Sequence, residues 1–199
     1  MTTTTDSAAM HVFSAARASS RMIGQQQAWD ELCALIAPGA NDRAFKVVLL
    51  KGRGGMGKTR LLEEARRKFR PDVPLDHDPN VLDAPLTDPV ISDIVDVIDA
   101  RLHDRYRFIQ ALHESLQAYG GALDFRNFRS AVAYVNRLGA LGALQDRMSE
   151  AQAMAVKAFL EDLAMITTER RVVFLVDTVE RLSYEAWEWL LEEELLKAT

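Results

Sequence analysis

Cysteine is almost missing from this sequence: Cys33 stands alone in 199 residues. That excludes a disulfide framework and any cysteine-based zinc site, and it fits a reducing compartment, with the cytoplasm expected. Long apolar runs are missing too. The longest purely aliphatic or aromatic stretches, residues 47–50 and 172–176, fall far short of the ~20 residues a membrane span needs. An excess of positive charge is absent: 24 Lys+Arg face 29 Asp+Glu, so no broad basic footprint marks a nucleic-acid binder. The imbalance sits at one end. Residues 177–199 carry seven acids and two bases, while residues 1–176 carry 22 of each sign. Such an acidic end reads as a solvated helix face. The four histidines, His11, His77, His103 and His113, have no metal-ligand spacing. What is present is an ordinary globular composition, 48% hydrophobic, on a chain long enough to bury a core.

The Thr- and Ser-rich residues 1–20 lack an apolar signal core and are expected to form a disordered tail. From residue 21 a single domain running to 199 is expected. It opens with a helix over 25–36, a turn at 37–41 and an apolar strand over 45–50; a Gly-rich loop and a helix over 58–69 follow. Five of the six prolines lie between Pro71 and Pro89, so that stretch reads as irregular chain around at most one short strand, 80–84. Residues 90–168 are expected to be helical. Asp88 and Pro89 make a helix start, and Ile91, Ile94, Ile98, Leu102, Tyr106, Ile109, Leu112 and Leu116 recur at steps of three or four. A further helix carries Phe125, Phe128, Val132 and Val135 and leads into a flexible segment at 138–143. Ser149 and Gln152 form a capping box that opens the next helix. Residues 172–176 read as a strand buried on both faces of a parallel sheet, and a last helix is expected near 184–197.

One pattern carries chemistry. Gly52-Arg53-Gly54-Gly55-Met56-Gly57-Lys58-Thr59 satisfies G-x-x-x-x-G-K-[ST] at every fixed position. Glycines let the backbone fold into a nest of N–H groups facing phosphate oxygens, where side chains would block approach. The helix opening at Lys58 adds its positive dipole end. Lys58 supplies a point charge for the β and γ phosphates, and the Thr59 hydroxyl is placed to ligate Mg²⁺. Arg60 either touches phosphate or sits on the helix surface. The matching acid is Asp177, at the end of the apolar run 172–176, where a carboxylate holds Mg²⁺ opposite Thr59. Glu180 either orients and deprotonates the attacking water or is a surface residue pairing with Arg181.

These segments resemble the Walker A and Walker B motifs of AAA+/STAND-type P-loop ATPases and the related origin-recognition-complex-like AAA proteins. Residues 22–32, Met22-Ile23-Gly24-Gln25 through Leu32, are similar to the family segment that lies against adenine, which implies contacts from Ile23 and Gly24. Residues 177–182 resemble the bacterial DTxERL form of Walker B. The resemblance implies an α/β, three-layer αβα P-loop fold with a parallel sheet and a helix-rich insertion between the two motifs. Two positions depart from it. Gln25 stands where the family usually has Arg, and Thr178 stands where AAA+ enzymes commonly place a catalytic Glu, which leaves Glu180 to take that role.

By this resemblance the expected function is an ATP-binding, slowly hydrolysing switch module with ATP/ADP and Mg²⁺ as cofactors, drawn from a larger signalling, regulatory or defence ATPase. Its expected partners are the remaining C-terminal part of the ATPase, effector or sensor domains, and other copies on ATP binding. A sensor-bearing strand is expected beyond Thr199, so the chain reads as a partial domain, weak or inactive in isolation. Two alternatives stand beside this. One is a small-molecule P-loop kinase, for which Arg126 and Arg129 are the only lid candidates; the other is a non-catalytic nucleotide-binding scaffold.

Overall fold

A computed structural model describes residues 9–14, 25–37, 46–51, 57–70, 89–98, 102 and 104–181. The expected strand 80–84, the final helix, Ile23, Gly24 and residues 52–56 lie outside the described residues. Two compact units divide the chain, Met1–Asp72 and Val73–Thr199.

In the first unit, strand β1 (Ala9–Ser14) is followed by helix α1 (Gln25–Ile36), strand β2 (Lys46–Lys51) and helix α2 (Lys58–Phe69). Where the composition predicts a disordered tail, Ala9–Ser14 pairs antiparallel with β2, from Ala9↔Lys51 to Ser14↔Lys46. The β-forming Val12 and Phe13 explain why this stretch accepts a ladder despite its Thr- and Ser-rich surroundings. The two helices pack through Ala28, Leu32 and Ile36 on α1 and Leu62 and Ala65 on α2, all buried. These are the faces that a 3.6-residue period selects.

In the second unit, strand β3 (Val90–Asp96) precedes helix α3 (Arg105–Glu114), a 3₁₀ segment (Gln117–Ala122), helices α4 (Arg126–Ala140) and α5 (Gln145–Glu169), and strand β4 (Val172–Asp177). The expected helix starting at 89 is thus corrected, because residues 90–96 are a strand parallel to β4. Val90, Ile91 and Ser92 are consecutive and all fully buried, which a one-faced helix cannot achieve, while Ile98 is 69% exposed. Branched Val90, Ile91, Ile94 and Val95 favour an extended backbone, and burial on both faces is what a parallel strand requires.

Two other corrections concern helix ends. The segment at 138–143 is ordered. Helix α4 runs through Ala140 and closes in a Schellman motif, with Gly142 N–H donating to the Gly139 carbonyl at 3.1 Å and Ala143 N–H to that of Leu138 at 3.1 Å. Gly142 adopts φ +65°, which this closure needs and which a side chain would strain. Helix α5 begins at Gln145, so Ser149 and Gln152 lie inside it rather than capping it. Asp146 supplies the favourable first-turn charge instead.

The core of this unit is aromatic. Phe159 stacks on Phe125 at 5.3 Å and meets Phe128 edge-on at 5.3 Å. Phe108, Phe128 and Phe159 are at most 1% exposed, each contributing about 1.5–3 kcal/mol by burial. His113 sits edge-on to Phe125 and Phe128. Desolvation by these rings, then Arg129, pushes its pKa below the ordinary 6.5, against a smaller upward pull from Asp162. Unfolding therefore takes up a proton. The stability supplied by neutral His113 is fully present above pH 6.5 and is lost as pH falls through the folded value. Urea unfolding at pH 8 and pH 5 is expected to show a smaller stability difference for His113→Gln than for the wild type. Equal differences would remove His113 as the source.

Candidate functional site

The loop that the sequence marks for phosphate ends at Gly57, which has φ 78° and ψ 23°. This left-handed conformation is open to glycine and strained for most other residues. Directly after it α2 begins, with Leu61 N–H donating to the Gly57 carbonyl at 3.0 Å as the first helical bond. Gly57, at the N-cap, has no side chain to occupy the helix entrance. Lys58 and Thr59 are the first two residues of the helix; Lys58 is half-buried, while Thr59 and Arg60 are exposed. No acid lies in the first turn, and Arg66, Arg67 and Lys68 occupy the last. The helix dipole therefore favours an anion at its first turn, and its negative end is complemented by cations.

At the end of β4, Asp177 Oδ1 accepts the Thr178 N–H at 2.8 Å. The Asp177 carbonyl accepts the Val97 N–H at 3.2 Å, which fixes this strand end to the chain leaving β3. Thr178 then adopts φ +60°, a conformation costly for a β-branched residue and characteristic of functional turns. A 3₁₀ turn (Val179–Arg181) follows, closed by Arg181 N–H donating to the Thr178 carbonyl at 2.9 Å, and it carries the exposed Glu180. The chain thus enters a tight turn directly behind Asp177.

Gly57, Lys58, Thr59 and Arg60 stand together at the head of α2, and Asp177 and Glu180 stand together behind β4. Reading 90–96 as helix hides one neighbour: Asp96 is the register partner of Asp177 across the parallel pair. Its Oδ1 accepts the Ile98 N–H at 3.1 Å. The signal that finds it is the density of branched residues just before an acid, the same form as residues 172–177. Carboxyl ends of parallel strands are where α/β sheets bind ligands. Among the described residues no group of three or more His, Cys, Asp or Glu could hold a metal ion. A Mg²⁺ ion at the end of β4 would rest on one or two carboxylates, phosphates and water, which is how this ion is usually held. Among the described residues no helix is long and apolar enough to cross a membrane.

No curated protein and no solved structure matches the chain. The AAA ATPase domain family matches residues 21–195, a span that takes in the phosphate loop, both helical regions and the strand ending at Asp177. With the α2 entrance and the parallel β3–β4 pair, that match identifies a nucleotide-binding module of α/β P-loop fold: the chain belongs to the AAA ATPase domain family.

Proposed function

We propose that this chain is the ATP-binding, slowly hydrolysing switch module of a STAND-like signalling, regulatory or defence ATPase. The observation that carries this reading is the run from β2 through Gly52–Thr59 into α2, with left-handed Gly57 at the helix entrance. In this reading the loop backbone of residues 52–57, with Arg53 and Met56 as its side-chain-bearing members, cradles the phosphates. Lys58 neutralises them, Arg60 flanks them, and Ile23 and Gly24 meet the adenine. Thr59 and Asp177 hold Mg²⁺, and Glu180 orients water. Thr178 in place of an acid suits slow turnover, since a switch needs its ATP state to persist. ATP binding then favours assembly with other copies and with the remaining parts of a larger protein.

Asp177→Asn is expected to abolish the gain in ATP affinity that Mg²⁺ brings, while Glu180→Gln lowers turnover and spares binding. Calorimetric titration with and without Mg²⁺, beside a phosphate-release assay, checks both. If Glu180→Gln releases phosphate at the wild-type rate, Glu180 is only a surface residue. For the kinase alternative, the lid candidates lie in exposed ion pairs, Arg126 with Asp124 at 2.8 Å and Arg129 with the same carboxylate at 3.8 Å, and a phosphoacceptor screen tests it. A scaffold without catalysis remains the reading if phosphate release is absent at saturating ATP.

A further inference from the structure

The β3–β4 ladder is not regular. Val90↔Val172 and Ile91↔Val173 pair in step, and pairing resumes at Ile94↔Leu175, so Ser92 and Asp93 together oppose Phe174 alone. This is a β-bulge, which bends a strand and re-aims the residues beyond it. The bulge is held from both sides. On the inner edge, fully buried Ser92 accepts the Leu175 N–H on its Oγ at 2.9 Å and donates to the Asp93 carbonyl at 2.7 Å. On the outer edge, Tyr119 Oη accepts the Ile91 N–H and donates to the Ile91 carbonyl, both at 2.9 Å. The Asp93 N–H is taken by the Ser115 carbonyl at 2.8 Å.

The bulge shifts everything downstream by one residue. In an unbroken ladder Val95 would stand opposite Asp177; with the bulge Asp96 does, and the Val97 N–H meets the Asp177 carbonyl. Because side chains alternate along a strand, a one-residue slip turns the opposing face over. The Ser92 hydroxyl supplies the acceptor that the bulge denies to Leu175, two residues before Asp177.

We propose that Ser92 is a positioning residue for the Mg²⁺ acid: its hydroxyl locks the bulged register that presents Asp177, and beside it Asp96, at the carboxyl edge of the sheet. This inference rests on the reading of Asp177 as the Mg²⁺ residue. Residues that orient a metal ligand from behind typically affect metal affinity about 10–100-fold.

The test titrates the full chain with ATP in Mg²⁺ and in EDTA and takes the ratio of the two affinities. Ser92→Ala is expected to lower that ratio about tenfold with the EDTA affinity unchanged, and Ser92→Thr, which keeps the hydroxyl, is expected to restore it. Hydrogen exchange at the Leu175 amide is expected to quicken in Ser92→Ala and to return with Thr. Should Ser92→Ala not fold, Ser92→Cys keeps the volume with a weak acceptor and serves the same comparison. A wild-type ratio in folded Ser92→Ala, or in Ser92→Cys where Ala does not fold, or an equal loss in Mg²⁺ and EDTA, overturns the positioning role and leaves the nucleotide site standing. A wild-type ratio in Asp177→Asn overturns both this inference and the assignment of Asp177.

Discussion

Lys58→Ala is expected to weaken ATP binding by about 1.5–3 kcal/mol, or roughly 10- to 150-fold, the worth of one charge-assisted contact. The expectation comes from a local conflict. Lys58 is the first residue of α2, where the helix dipole is positive and a cation is unfavourable. Arg60 places a second cation in the same turn, whereas Arg66, Arg67 and Lys68 in the last turn obey the dipole. A rule broken only at the helix entrance marks a site where an anion is meant to arrive. Removing Lys58 therefore deprives bound phosphate of its counter-charge. Calorimetry with Mg²⁺ and ATP measures the loss. Equal affinities for variant and wild type would end the phosphate role of Lys58.

How far the sequence discloses this site depends on how local each feature is. Helix α1 and helix α2 have the boundaries that their apolar spacing predicts, 25–36 and 58–69, because each end is set by neighbouring residues. The strand before the loop and the strand before Asp177 are equally legible, since short apolar runs bounded by charge have few other solutions. Strand β3 is not. Ile91, Ile94 and Ile98 are spaced for a helix face, but Ile91 is buried and Ile98 exposed. The decision lies with β4, which offers a parallel ladder 82 residues away in register at Val90↔Val172. Misreading β3 also hides Ser92 and Asp96, the residues that set and flank Asp177. The Schellman closure at Gly142 is present in the residues as a glycine past a helix end, and reading the segment as flexible overlooks that signal.

A large loss of stability from a single polar side chain of the second unit is expected at Asp162. The apolar stripe of α5, from Val156 to Ile166, gives no reason for an acid there, and yet Asp162 is only 4% exposed. Its partners lie on α4. Asp162 Oδ2 accepts the Phe128 N–H at 2.9 Å, and Oδ1 accepts from Asn127 Nδ2 at 2.7 Å. The N-cap position of α4 is Phe125, which supplies no side-chain acceptor. Asp162 therefore caps α4 from another helix, placing a carboxylate at a positive helix end where its charge is favourable. Asp162→Ala leaves the Phe128 N–H buried without that acceptor, removes the bond to Asn127 and opens a small void between α4 and α5. A loss of about 3 kcal/mol is expected from the orphaned donor and the lost charge-assisted bonds, or a fall of about 6–12 °C in Tm for a chain of this length. Asp162→Asn keeps one acceptor and nearly the same volume, so its loss is expected to be about 1 kcal/mol. Asp162→Leu separates packing from capping: it fills the space with apolar atoms but still strands the Phe128 N–H, so it is expected to remain well below the wild type. Urea unfolding of the three variants checks the order Asn, then Leu, then Ala. If Leu matched the wild type, burial alone would account for the site, and the cap would contribute nothing to the α4–α5 hairpin.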